Sequence, residues 1–194
     1  NIDIEADFYS AYLDSLGVIK GGDNIGVISQ SAGVIGSGIE YLELYAATGI
    51  GLRDNLLDTQ VNFLQAENVN CGDIAIDNSG DLTIVGDGIV NDARGGSVKI
   101  VTHSDLTLNS SIVSDALVSL DIDGAIIDNH NGWDDIVADS LELRIVKGTS
   151  GLWNDYIETM VDNLAVYNSG RGDINIRNTG PVTLTKVGLT RGVI

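Results

Sequence analysis

The sequence predicts an all-β fold, a parallel β-solenoid (β-helix) in which short strands wind around one core, and three observations carry that prediction. Aliphatic residues alternate with period two in short runs, as in Ile74 and Ile76, Leu82 and Ile84, Val98 and Ile100, and Leu141 and Leu143. Clusters of Asn, Asp and Gly separate the runs: DNSG, GDG, DIDG, DNHNG and RNTG. These residue types tolerate the left-handed backbone of close turns. The chain also matches itself, without a gap, at an offset of 100 residues.

Taken in order, the first 16 residues, with DFYSAYLDSL, suit a short helix or a capping turn. Strand centres then fall near Val27, Leu42, Phe63, Leu82, Lys99, Leu120, Leu141, Leu164 and Val182. Their mean spacing of about 20 residues predicts about nine coils, stacked about 4.8 Å apart into a rod of about 40 Å. The final stretch, KVGLTRGVI, remains apolar and strand-like and favours continuation of the stack.

The repeat aligns LDTQVNFLQAENVNCGDIAIDNSGDLTI, from Leu57 to Ile84, with IETMVDNLAVYNSGRGDINIRNTGPVTL, from Ile157 to Leu184. Thr59, Val61, Leu64, Asn68 and Asn78 thereby pair with Thr159, Val161, Leu164, Asn168 and Asn178. A weaker match relates 37–51 to 134–151. One full unit, 51–150, is thus expected between the end of a preceding unit, 1–50, and the start of the next, 151–194, in a single continuous solenoid over 1–194. A β-sandwich shares the short alternating strands. Duplicated sandwiches, however, would show a linker between self-contained domains, and here the similarity runs through the junction at Gly148 to Gly151.

Composition agrees. Val, Ile and Leu dominate a hydrophobic content of 43%, against 5% aromatics, which suits a narrow pleated core. With 24 Gly and one Pro, turns are supplied without removing ladder donors. A net charge of −18 repels phosphate backbones, so nucleic acid is excluded as a partner. The lone cysteine, Cys71, aligns with Arg171 and reads as an exposed turn residue; no intramolecular disulfide can form. No run of 18 apolar residues exists to span a membrane. The start at Asn1, without a signal segment, reads as a processed chain or, in preference, as an excerpt from a longer one.

The stretch G-I-G, followed by LDT or IET with Val and Leu and then by GDI-x-I-x-N-x-G-x-LT, resembles the repeats of filamentous-haemagglutinin-type exoproteins over most of Ile39 to Leu184. The resemblance implies a right-handed parallel β-helix, secretion to the surface of a bacterium, and a role in adhesion or surface architecture rather than catalysis. The partners it implies are neighbouring repeats or identical subunits stacked end to end, and a host or cell-surface glycan.

Carbohydrate-active β-helices are the alternative, binding or cleaving acidic glycans with calcium. Their residues are poorly matched. NTG at Asn178 to Gly180 and the pair Asp134 and Asp135 are fragments of a polygalacturonase pattern whose remaining pieces are absent. Asn178 is expected as a turn residue because Asn78 repeats it, and the acidic pair as part of a solvated loop. Arg144 and Glu142 share the outer side of a strand, where a surface ion pair is expected. No catalytic residue is assigned. The loop DNHNGWDD, with His130, Trp133, Asp134 and Asp135, is the candidate contact site for a sugar or partner. Trp153 and Tyr156 are expected to pack rather than recognise a ligand. No cofactor is required; calcium is the metal that the acidic donors would suit, with Asp121, Asp123 and Asp128 as candidates.

Overall fold

The computed structural model is a parallel β-solenoid without a helix among the described residues, which are 3–6, 12–13, 18–20, 28–32, 34–35, 40–130, 132–151, 156–188 and 190–191. The strands follow from the alternation. In Val98–Thr102, for example, Val98, Ile100 and Thr102 point inward while Lys99 and Val101 stay half-exposed. A lone strand with one apolar side must stack, and a parallel stack needs a return path. Clustered Asn, Asp, Ser and Gly residues provide it as tight corners.

Three ladders result. The coil opening at Val98 runs through Val98–Thr102, Leu106–Leu108 and Ile112–Ser114, then re-enters the first ladder with Leu117–Ile122. On the first ladder Ile50, Ile74, Val98, Val118, Leu141, Leu164 and Leu184 follow one another in register. The second carries Leu42, Leu64, Ile84, Leu108 and Asp128. The third carries Leu44, Ala66, Ile89, Ile112, Ile136, Thr159 and Asn178. Their inward side chains form one aliphatic core. Each fully buried Leu or Ile contributes about 1.5–3 kcal/mol, so this column outweighs any single corner contact.

The coils are longer and fewer than the sequence spacing suggests. Six steps of 20 to 24 residues carry the first ladder from Ile50 to Leu184, in place of nine coils of about 20 over the chain. The strand centres do not share a ladder: Leu42, Phe63 and Leu82 stand on the second, while Lys99, Leu120, Leu141 and Leu164 stand on the first. The step from Leu82 to Lys99 is a fraction of a turn that a mean spacing counts as whole. Val27 lies outside the described residues, and Val182 just precedes the strand Thr183–Leu184.

The sequence repeat does not contain a whole number of coils. Four steps take Ile50 to Leu141 and five take it to Leu164, whereas its repeat partner, Ser150, falls between them. Accordingly Ile74 stands on the first ladder, but Ile174 pairs with Ser150, and Ser150 with Ile126, on the second.

Corner chemistry recurs nevertheless. Asn78 accepts from the Thr59 hydroxyl at 2.9 Å and the Val61 N–H at 3.0 Å, and donates to the carbonyls of Val61 and Gly80 at 3.2 and 3.1 Å. Asn178 does the same with Thr159, Val161 and Gly180. Asn68 donates to Asn91 of the next coil at 3.0 Å, a short amide ladder inside a corner.

Antiparallel pairs occur near both chain ends. Asp3–Ala6 and Tyr12–Leu13, where a helix was an alternative to a capping turn, are strands, pairing with Ile28–Ala32 and Val18–Lys20. The last stretch is strand-like as expected, but instead of continuing the stack Lys186–Val187 pairs back onto Thr190–Arg191 through a reversal at Gly188, whose φ of 54° suits a turn. No helix among the described residues is long and apolar enough to cross a membrane.

Candidate functional site

One corner departs from the pattern. Between Leu106–Leu108 and Ile112–Ser114 the chain turns in residues 109–111, but one coil later residues 129–135 fill the same turn, between Ile126–Asp128 and Ile136–Ile145. Asp128 opens this loop at the inward register position occupied in earlier coils by Leu108, Ile84, Leu64 and Leu42, and is only 4% exposed. A buried carboxylate needs donors. Its Oδ1 accepts from the backbone N–H of His130 at 2.6 Å, which sets the first turn of the loop.

Asp135 closes the loop and is fully buried. Its Oδ2 accepts from the N–H of Glu158 at 2.9 Å, one coil on. Its Oδ1 has no hydrogen-bond partner, and neither has Nδ1 of His130, 3.8 Å away. Glu158, with a side chain 13% exposed, accepts from Arg177 Nη2 at 2.6 Å. One ligand atom each from Asp128, Asp135 and Glu158 fall within 4.8 Å of one another. Burial pushes the Asp135 carboxyl up to about 8; the Glu158 N–H opposes this, and the nearby Asp128 and Glu158 carboxylates add to it. Such a constellation takes up positive charge, as a proton or as a cation.

The residues expected from the sequence are not brought together as one surface. Trp133 is 73% exposed, whereas Asp135 points inward, which corrects the reading of Asp134 and Asp135 as a solvated pair. Asp134 is half-buried, and its carboxylate accepts from the Thr179 hydroxyl at 3.0 Å. Asp121 faces Arg144 across the ladder at 3.8 Å, and Asp123 lies 3.5 Å from Nδ1 of His103, whose Nε2 is 2.9 Å from Asp77. Of the three calcium candidates, Asp128 alone joins the cluster. Arg144 lies on the outer side as expected and also sits 5.7 Å over the Tyr167 ring. Tyr156 is exposed rather than packed, Cys71 is exposed as its turn position implies, and Trp153 lies outside the described residues. Glu158 is the residue that sequence reasoning missed. Its signal was register: it follows Asp135 by 23 residues, one coil, and its C=O accepts from the Asp135 N–H at 2.8 Å.

A second concavity runs across the outer side of the first ladder. It is a groove of about 450 Å³ lined by Arg53, Asp73, Lys99, Ser119, Glu142 and Gly188. Glu142, half of the expected surface pair, is only 5% exposed here and accepts from the Ser119 hydroxyl at 3.2 Å. No protein-family model, no curated protein and no solved structure matches this chain.

Proposed function

We propose that the chain is a structural and adhesive repeat segment of a large secreted bacterial surface protein, of the filamentous-haemagglutinin type that its motifs resemble, and not an enzyme. The observation that carries this reading is the uninterrupted aliphatic column along the first ladder, from Ile50 to Leu164. Coils of this kind bury their apolar side only against each other, which serves length and surface. A further support comes from the strands Ile176–Asn178 and Thr183–Leu184, which pair on one side only among the described residues. Val182 and Leu184 beside them are 38% and 60% exposed. A half-paired apolar edge accepts another coil, from a neighbouring repeat or a second copy of the chain.

Negative-stain electron microscopy over a range of concentrations tests this reading. Filaments much longer than one rod support stacking between copies, and discrete short rods support a segment whose neighbours are covalent. Compact globules would sink the proposal.

The groove over the first ladder favours a second reading, in which it binds or cleaves an acidic glycan with Lys99 and Arg53 as counter-charges. Release of oligosaccharides from a purified panel, with and without calcium, separates the two readings. A Lys99→Ala variant that retained full activity would exclude the groove.

A further inference from the structure

We propose that the segment after Gly188 is a strap with two places on this molecule: the outer side of the first ladder, where it lies folded back, and the open edge of residues 166–168, where it continues the stack and presents a fresh edge to the next coil. The inference rests on the stacking reading above and supplies its regulation, because the folded-back strap ends the stack.

The sequence repeat reveals the second place. In the first copy Thr83 and Ile84 pair with Phe63 and Leu64, residues 85–88 leave the ladder, and residues 89–91 return to pair with 66–68. The second copy begins along the same path. Thr183 and Leu184 pair with Asn163 and Leu164, and Gly188 is left-handed like its repeat partner Gly88, with φ of 54° against 87°. There the copies part. Instead of returning to the ladder, Thr190–Arg191 pairs back on Lys186–Val187. Among the described residues no strand pairs with 165–168 on the side away from Ile136–Ile145.

The first place is a covered surface. Glu142 and Ala165 are neighbours across the ladder at outward positions, yet they are only 5% and 0% exposed. The folded-back pair packs against their two strands, and a side chain at Gly188 would collide with the Glu142 carboxylate. Only two register pairs hold the hairpin itself, which is little for an isolated pair of strands.

One side chain accounts for the choice of place. Asn91, buried in its corner, accepts from Asn68 Nδ2 at 3.0 Å and from the Ala93 N–H at 3.2 Å, and donates to the carbonyls of Gly72 and Ser97. Its repeat partner is Arg191, and that of Asn68 is Asn168. A guanidinium only donates, so it cannot accept from the Asn168 amide as Asn91 does from Asn68. Seating it in the corner would also take a charge out of water. Arg191 thus sets the balance against the ladder, and a docking coil that brings acceptors to this corner reverses it.

The test is hydrogen exchange on the dilute, unassembled chain beside its Arg191→Asn variant. The amides of 165–168 that face away from Ile136–Ile145 should exchange at least about tenfold more slowly in the variant. In a Cys71→Ser background, Ala165→Cys should react with a thiol reagent at least about tenfold faster once Arg191→Asn is added, because the strap has left it. Arg191→Lys, which keeps a charge and gains no acceptor, should leave both rates unchanged. Circular dichroism checks folding, and Arg191→Gln replaces Arg191→Asn if that variant fails. Unslowed exchange, or slowing that Arg191→Lys reproduces, overturns the proposal. Faster labelling without slower exchange is fraying of the strap and overturns it too. Electron microscopy of Arg191→Asn reads stacking separately: slowed exchange with particles no longer than before upholds the strap and sinks stacking between copies.

Discussion

At the corner after Ile74–Asn78 one neutral amide meets two donors and one acceptor from the preceding coil and a second acceptor, the Gly80 carbonyl, in its own turn, and no buried side-chain polar atom there lacks a partner. At the corner after Ile126–Asp128 two buried carboxylates stand where neutral or apolar groups close the other coils, and an oxygen and a ring nitrogen are left unpartnered. The first corner is complete in itself. The second holds a buried carboxyl that burial keeps protonated, so the two should answer differently to mutation and to pH.

Asn78→Ala is expected to have the largest effect. It strips partners from the Val61 N–H and C=O inside a buried turn, and should cost about 3 kcal/mol in urea unfolding. At the other corner the sign reverses. With its carboxyl raised to about 8 in the fold, Asp135 is tolerated neutral at low pH and costs stability when ionised. The protein should therefore lose stability as pH rises from about 4 to about 8. Asp135→Asn should flatten that dependence and stabilise the chain at pH 8 by about 2 kcal/mol, read from the shift in urea midpoint. Asn178→Ala repeats the first substitution in the second copy of the motif, where the amide is half-buried, and should cost about 1 kcal/mol. Equal losses for Asn78→Ala and Asn178→Ala would mean that the coil stacked above Asn78 adds nothing to its corner. Arg177→Ala, removing the exposed partner of Glu158, should change stability by less than about 0.5 kcal/mol.

The strands and the Asn corners were legible because both are local. Period-two alternation needs only a few residues, and Thr59 with Asn78 foretold Thr159 with Asn178. The coil length was not legible, because a chain that turns three corners per coil offers a strand centre on every ladder. Leu82 and Lys99 look like successive rungs although they face different sides. The buried state of Asp135 was hidden for a related reason. A polar loop reads as solvated, and only the register that sets Glu158 one coil beyond Asp135 shows that the loop folds back under cover. The reversal at Gly188 hinged on one left-handed glycine within an otherwise strand-like run.

The fractional number of coils in the 100-residue period bears on how such a rod meets other molecules. Matching residues of the two copies, such as Ile74 and Ile174 or Leu64 and Leu164, lie on different ladders, and so their outward neighbours aim in different directions around the axis. A flat surface pressed against the rod can engage one copy of a repeated contact at a time, and gains no avidity from the next. A mesh or a flexible polymer that wraps the rod can engage both. For a contact carried by both copies, the repeat period, rather than any single residue, would favour partners that surround the rod over partners that lie beneath it.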